Sequence, residues 1–401
     1  MAVDLTAYDA MMKEYFIQQR VDNICNKDQP LLGWMPKAES FYGRNLPIPL
    51  QYGLPVGTGA GFTSAQANAN GGKYVEFILT RVRDYGLLQL DNETMEASES
   101  DSGAWAKARI RETEGLIEIL SERLAKNLVS NKGNAKARGA SVSSAALTLA
   151  NPDDVVHFAV GQRIQSDSGD GTSGAVNAGF VTLVGVDRDN GILHADANWA
   201  SSITGFAATD YLFHYGDFGL GISGLDSWLP ATIASSGDNH FGVDRYVDPT
   251  RLGGIRFDGT NRDVLTALEL ALARCRRDGA MIDTFWMNHQ RFTECSLELG
   301  SQYQRTEVKY AGIGYDSIQF NSGGRKVNIM ADINIPYTVC YGLTRKTWKF
   351  HTLKKAPRFL WTGNGNSIAL PTADGIEMRM GWYGNLACDA PGRNVRVALA
   401  A

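Results

Sequence analysis

The sequence predicts an α+β fold carrying a small β-rich inserted domain, on three observations. Apolar residues recur at helical spacing in two stretches, from Leu116 to Leu128 and from Val264 to Cys275. Between these, the pattern over 144–216 changes to short β-runs broken by turn signals roughly every 8 to 12 residues. Two alternating runs, 46–56 and 74–90, flank a stretch rich in glycine, which reads as a long two-stranded projection. The 401 residues, 44% hydrophobic and 20% charged, suit two or three compact regions and exclude a collagenous or disordered chain.

Charge narrows the function classes. With 39 basic and 43 acidic side chains the net charge is -4, poorly matched to gripping duplex phosphate, so any contact with nucleic acid should be loose. The first residues, MAVDLTAYDA, lack the charged and apolar regions of a secretion signal, and no run of about 18 apolar residues exists, so a soluble product without membrane contact is expected. Cys25, Cys275, Cys295, Cys340 and Cys388 form no CxxC pair and read as reduced, buried thiols.

Taken in order, residues 1–45 begin with a helical pattern at 8–19 and then lose periodicity through Pro30, Gly33, Trp34, Pro36 and Gly43. Such a segment cannot fold alone and reads as an arm lying on something else. Residues 46–95 form the projection. Its tip, 57–72, holds Gly57, Gly59, Gly61, Gly71 and Gly72 with Phe62 as its one bulky side chain, and Lys73 follows. A tip with so little to pack is expected to be mobile, and an isolated hairpin is marginal in water, so the projection needs a partner surface that another copy of the chain can supply.

A long helix is expected within 96–143, capped at 98–102 and stopped at 131–133, with Leu116, Ile117, Leu120, Leu124 and Leu128 on its core face. Some thirty residues make a rod on the order of 45 Å. Its other face carries charges of both signs, read as solvated with i to i+4 pairs. In the 144–216 block, 180–186 (FVTLVGV) reads as a strand, Asp189-Asn190-Gly191 as a tight turn, 192–195 as the return strand and 166–177 as a flexible loop. The remainder, 217–401, is mixed. A helix runs from a Thr260/Asn261 cap to Asp278-Gly279, a strand 281–287 follows, and a second helix is capped by Asn288 and ended by Gly300. Later strands fall at 317–320, 326–330, 339–343, 376–383 and 395–400.

Chemistry is sparse. Gly72-Lys73 fails as a phosphate loop because Ala67 and Tyr74 stand where glycine and a hydroxyl belong, and the GTGAGF run from Gly57 to Phe62 opens no dinucleotide-binding helix. His157, His194, His214, His240, His289 and His351 are scattered and read as structural, and Asp167 and Asp170 as part of a hydrophilic loop. Trp348, Phe350, Phe359, Trp361, Trp382 and Tyr383 interleave with Lys346, Lys349, Lys354, Lys355 and Arg358. Such a mixture can stack single-stranded nucleic acid, but the alternation in TWKFHT suits an ordinary strand better. No catalytic residue, cofactor or metal site is expected.

The order of parts, together with GLDSWLPAT at 224–232, the helix NRDVLTALELALARCRRDG with MIDTFWMNHQRF at 261–292, and EMRMGWYGNLACDAPGRNVRVAL at 377–399, resembles the tailed-bacteriophage major capsid proteins of the Hong Kong ninety-seven fold. The resemblance implies that 1–45 is the N-terminal arm and 46–95 the extended loop. It also implies that 96–143 holds the spine helix and the start of the peripheral domain, and that 144–216 is an insertion. Residues 217–401 would then be the axial domain with a C-terminal return to the peripheral domain. It implies a non-enzymatic virion subunit, assembled in the host cytoplasm as hexamers and pentamers of an icosahedral or prolate shell. That shell would enclose double-stranded DNA without sequence-specific binding. Portal, separate scaffolding and decoration proteins are the implied partners, with subunit contacts through Gly57, Gly59, Gly61, Phe62, Gly71, Gly72 and Lys73. Some relatives crosslink a loop lysine to a neighbour's asparagine; Lys73 is the lysine available, but no partner residue is identifiable, and an ordinary solvated lysine is the expected reading. The alternative is a β-rich tail-associated or glycan-binding structural protein, with 144–216 as its binding module.

Overall fold

A computed structural model describes residues 29–91, 102–299, 304–310, 313–322, 325–360, 367–369 and 374–400. The helical pattern expected at 8–19, Cys25 and Trp361 lie outside them. The chain divides into two compact units, residues 1–118 with 228–401, and residues 119–227.

Two large sheets form the body of the first unit. A seven-stranded sheet runs in the order Ile255–Asp258, Val395–Ala398, Val339–Leu343, Thr284–Met287, Arg325–Ala331, Ile313–Ser322, Gln304–Tyr310. Its central strands Val339–Leu343 and Thr284–Met287 are buried at every position, the signature of strands covered on both faces. Helices Val264–Arg277 and His289–Leu299 pack there, placing Val264, Leu268, Ala271, Leu272 and Cys275 against Phe285, Ile329 and Val397. The first helix starts later than the Thr260/Asn261 cap expected. Asp258 takes the Thr260 amide and hydroxyl into a local turn, and the cap position falls on Asp263, whose side chain makes no capping bond. Glu298 of the second helix supplies the acceptors instead, receiving the amides of Val264 at 3.2 Å and Leu265 at 2.8 Å.

The other sheet is organised around one 14-residue strand, Gly375–Cys388. It pairs with Trp348–Thr352, Arg358–Phe359, Ser367–Ala369 and Val82–Asp91, all antiparallel, and Lys37–Ala38 adds in parallel to Trp348–Thr352. Buried Asn394 receives the Trp348 indole N–H at 2.9 Å and the Thr344 amide at 2.8 Å. The short helix Pro30–Trp34 is held by Asp332, a fully buried carboxylate that accepts the Leu31 amide at 3.1 Å and the Asn334 amide at 2.8 Å. Trp34 meets Trp286 edge to face at 5.5 Å.

The second unit contains a closed barrel. Its strands run in the order Tyr211–His214, Ala137–Ser143, Ala146–Leu149, Ile192–Ala195, Val181–Asp187, Arg163–Asp167. Closure leaves no free edge, and Leu147, Ile164, Leu183, Leu193, Trp199 and Leu212 fill the interior. The expected tight turn is present: Gly191 takes φ +65°, and Asp187 accepts the amides of Asp189 and Asn190, each at 3.1 Å. The strand Ala137–Ser143 precedes the 144–216 block and is part of the same barrel. The 166–177 loop is fastened rather than free. Asp210, itself buried, accepts from Ser166 and Asn177, and Asp170 accepts from Asn131 and Thr172.

Candidate assembly surfaces

The projection is a two-stranded antiparallel ribbon, Asn45–Gly53 with Lys73–Thr80. Alternation places Ile48, Phe77 and Leu79 on its inner face, where they are buried. Phe77 packs edge to face on Trp228 at 5.2 Å, and the Ile78 amide donates to the Phe241 carbonyl at 2.9 Å. The base of the loop therefore has a partner within its own unit, contrary to the reading of an unsupported hairpin. The single alternating run read at 74–90 is two strands. At Arg81 the chain leaves Asn45–Gly53 and pairs with Gly375–Cys388.

Beyond the base the ribbon is bare. Leu54 is 76% exposed, Val56 58%, Phe62 85% and Tyr74 69%. The glycine-rich tip is not without structure: Phe62–Ala67 is helical, an isolated bridge joins Val56 to Asn70, and Asn68 donates to the Thr58 carbonyl. That helix buries no residue. Of the tip glycines, Gly59 is the one sterics demand, since a Cβ there would lie 2.7 Å from the Ala65 nitrogen. Gly57, Gly61, Gly71 and Gly72 keep ordinary backbone angles, and Lys73 is exposed beside Gly53.

The long helix is Ser102–Val129. Ile117, Leu120, Leu124 and Leu128 are buried and Leu116 is half-buried. Its last turn meets Gly224, where a Cβ would approach the Leu128 and Ser130 carbonyls to 2.4 Å, so only glycine fits. The charged face is not all solvated. Within the second unit, Arg123 pairs with Asp217 at 2.9 Å and Lys126 with Asp154 at 3.5 Å, while Lys136 donates to Asn127 and Asn134. Burial, and then the charges of Lys126 and Lys136, push His157 well below the usual imidazole range, so it stays neutral.

The aromatic and basic stretch resolves into core and surface. Trp348, Phe350 and Trp382 are buried, with Phe350 and Trp382 edge to face at 5.7 Å, and Lys349 turns outward to Asp389 at 2.9 Å. The four described thiols, Cys275, Cys295, Cys340 and Cys388, are buried; burial pushes Cys275 and Cys295 up to about 12. Among the described residues no His, Cys, Asp or Glu cluster is set to hold a metal.

In fold the chain is similar to the capsid asymmetric unit of cyanophage A-1(L), at 12% identity over 90% of this chain and 89% of that one, with a TM-score of 0.51. It is also similar to a chain of Gordonia phage Cozz, at 10% identity, 93% and 87% coverage and a TM-score of 0.44. A further likeness is to the capsid of a native GTA particle, at 8% identity, 96% and 92% coverage and a TM-score of 0.44. No family model matches the sequence, and no curated protein matches it. The first likeness gives the fold: this is the α+β phage capsid fold expected from the sequence resemblance.

Proposed function

We propose that this chain is the major capsid protein of a tailed bacteriophage, a non-enzymatic subunit that assembles as hexamers and pentamers into a shell around double-stranded DNA. The carrying observation is the outer half of the extended loop. Leu54, Val56, Phe62 and Tyr74 lie open to water on a ribbon whose base is packed, a costly arrangement for a lone molecule. Copies that overlap neighbouring loops would bury these side chains, at interfaces on the order of the standard 1,600 Å². The loop tip, including Gly57, Gly59, Gly61, Phe62, Gly71, Gly72 and Lys73, would then be contact surface between subunits. The virion is the expected location, with assembly in the host cytoplasm and with portal, separate scaffolding and decoration proteins as the expected partners.

Electron microscopy of the purified full-length chain tests the reading. Closed shells, or rings of five and six, support it. A chain that stays monomeric at high concentration overturns it, as do small discrete oligomers that never form rings.

A further inference from the structure

Where strand Val82–Asp91 begins, the pairing Arg83 with Tyr383 brings two distant parts of the first unit together. The result is an open recess of about 390 Å³ lined by Arg81, Val82, Arg83, Leu353 and Tyr383, within the size range of small-ligand sites. Arg358, on strand Arg358–Phe359, stands beside one wall of the recess, its guanidinium 6.0 Å from the centre of the Tyr383 ring. Tyr85, two residues beyond Arg83 on the same strand face, meets Tyr383 edge to face at 5.9 Å and is 48% exposed.

Arg81 donates to the Phe41 carbonyl through one guanidinium nitrogen and stacks the same group on the Phe41 ring, which fixes its head group in place. Among the described residues no carboxylate pairs with Arg81, Arg83 or Arg358, whereas Arg123, Arg245 and Arg379 each have one. Lys354 and Lys355, both exposed, follow Leu353 in the chain. Two guanidiniums, those of Arg81 and Arg83, thus line the cavity, and a third, that of Arg358, stands by its Tyr383 wall.

We propose that this recess binds the phosphodiester group of a nucleic acid strand. Arginine forks hold tetrahedral phosphate oxygens at several points, whereas a single carboxylate is satisfied by one fork. The Tyr383 phenol, raised by burial and by its hydrogen bond to Tyr85 against the opposing charges of Arg358 and Arg83, keeps its proton, so no phenolate neutralises the arginines beside it. The open face of Tyr85 offers a surface for a sugar or base without selecting its identity. The binding is sequence-independent and weak, with a dissociation constant on the order of 10⁻⁴ to 10⁻⁵ M at physiological salt. It needs no shell and is a property of the single subunit.

Fluorescence anisotropy of the full-length chain with a labelled oligothymidylate, titrated over a range of salt, tests this. Three cations give a log–log salt slope of about -2.1 on a single strand; Arg83→Gln with Arg358→Gln removes about 1.4 of it. Arg83→Lys with Arg358→Lys keeps the charge and the slope, which separates lost cations from lost fold, and circular dichroism checks both proteins. A slope unchanged in the glutamine variant overturns the proposal. So does oligoglutamate competing as well as the oligonucleotide, which would assign the recess to an acidic protein segment. Shell formation, scored separately by microscopy, does not enter either outcome.

Discussion

Asp332 shows what one buried carboxylate does in this fold. Its two oxygens accept from Leu31 and Asn334, and burial raises its carboxyl above the usual range despite those bonds. The native state then binds its proton more tightly than the unfolded chain does. Stability from this group is therefore greatest near or below the ordinary carboxylate value of about 3.9 and is lost as pH rises through the raised native value. Asp332→Asn turns one acceptor into a donor facing N–H groups and should cost about 1 to 3 kcal/mol. Urea denaturation should show that loss to be larger at about pH 5 than at about pH 8, because the wild-type charge penalty is absent from the variant. The residue was not singled out in the sequence, since ADINIP gives no sign that Asp332 would meet a segment 301 positions away.

At the scale of elements, periodicity was readable wherever packing is local. The helix Val264–Arg277 and the buried strand Val339–Leu343 match the apolar spacing, because each buries a continuous stripe. The strand break at Arg81 was not readable, since alternation continues through it and only the partner changes. The basic recess was hidden for the same reason: Arg83 and Tyr383 are joined by sheet register alone. Capping shows the point again. Glu298 serves a helix start more than thirty residues before it, so Glu298→Ala should destabilise the first unit by about 0.5 to 2 kcal/mol, while Glu298→Gln keeps an oxygen and loses less. Thermal melts of the two variants read the difference.

For the whole molecule, the α+β fold class was legible in the sequence. The support beneath the loop was not, because Trp228 and Phe241 carry no mark of the ribbon they receive. That support decides what a deletion should do. Removing 57–72 takes away the bare tip and leaves the packed base of Ile48, Phe77 and Leu79. The shortened chain should keep its circular dichroism spectrum and melting temperature yet form no closed particles under the microscope. Normal particles would show that the tip contributes nothing between subunits.

The strand Gly375–Cys388 carries a mechanical consequence. Ten consecutive residue pairs bind it to Val82–Asp91, the segment into which the projecting ribbon runs. Tension drawn along that segment loads the rungs of the ladder together in shear, rather than peeling them one after another. Four strands grip the same backbone, so the force spreads across a sheet before it reaches any hydrophobic core. The ribbon should bend or lose its tip long before its root pulls out.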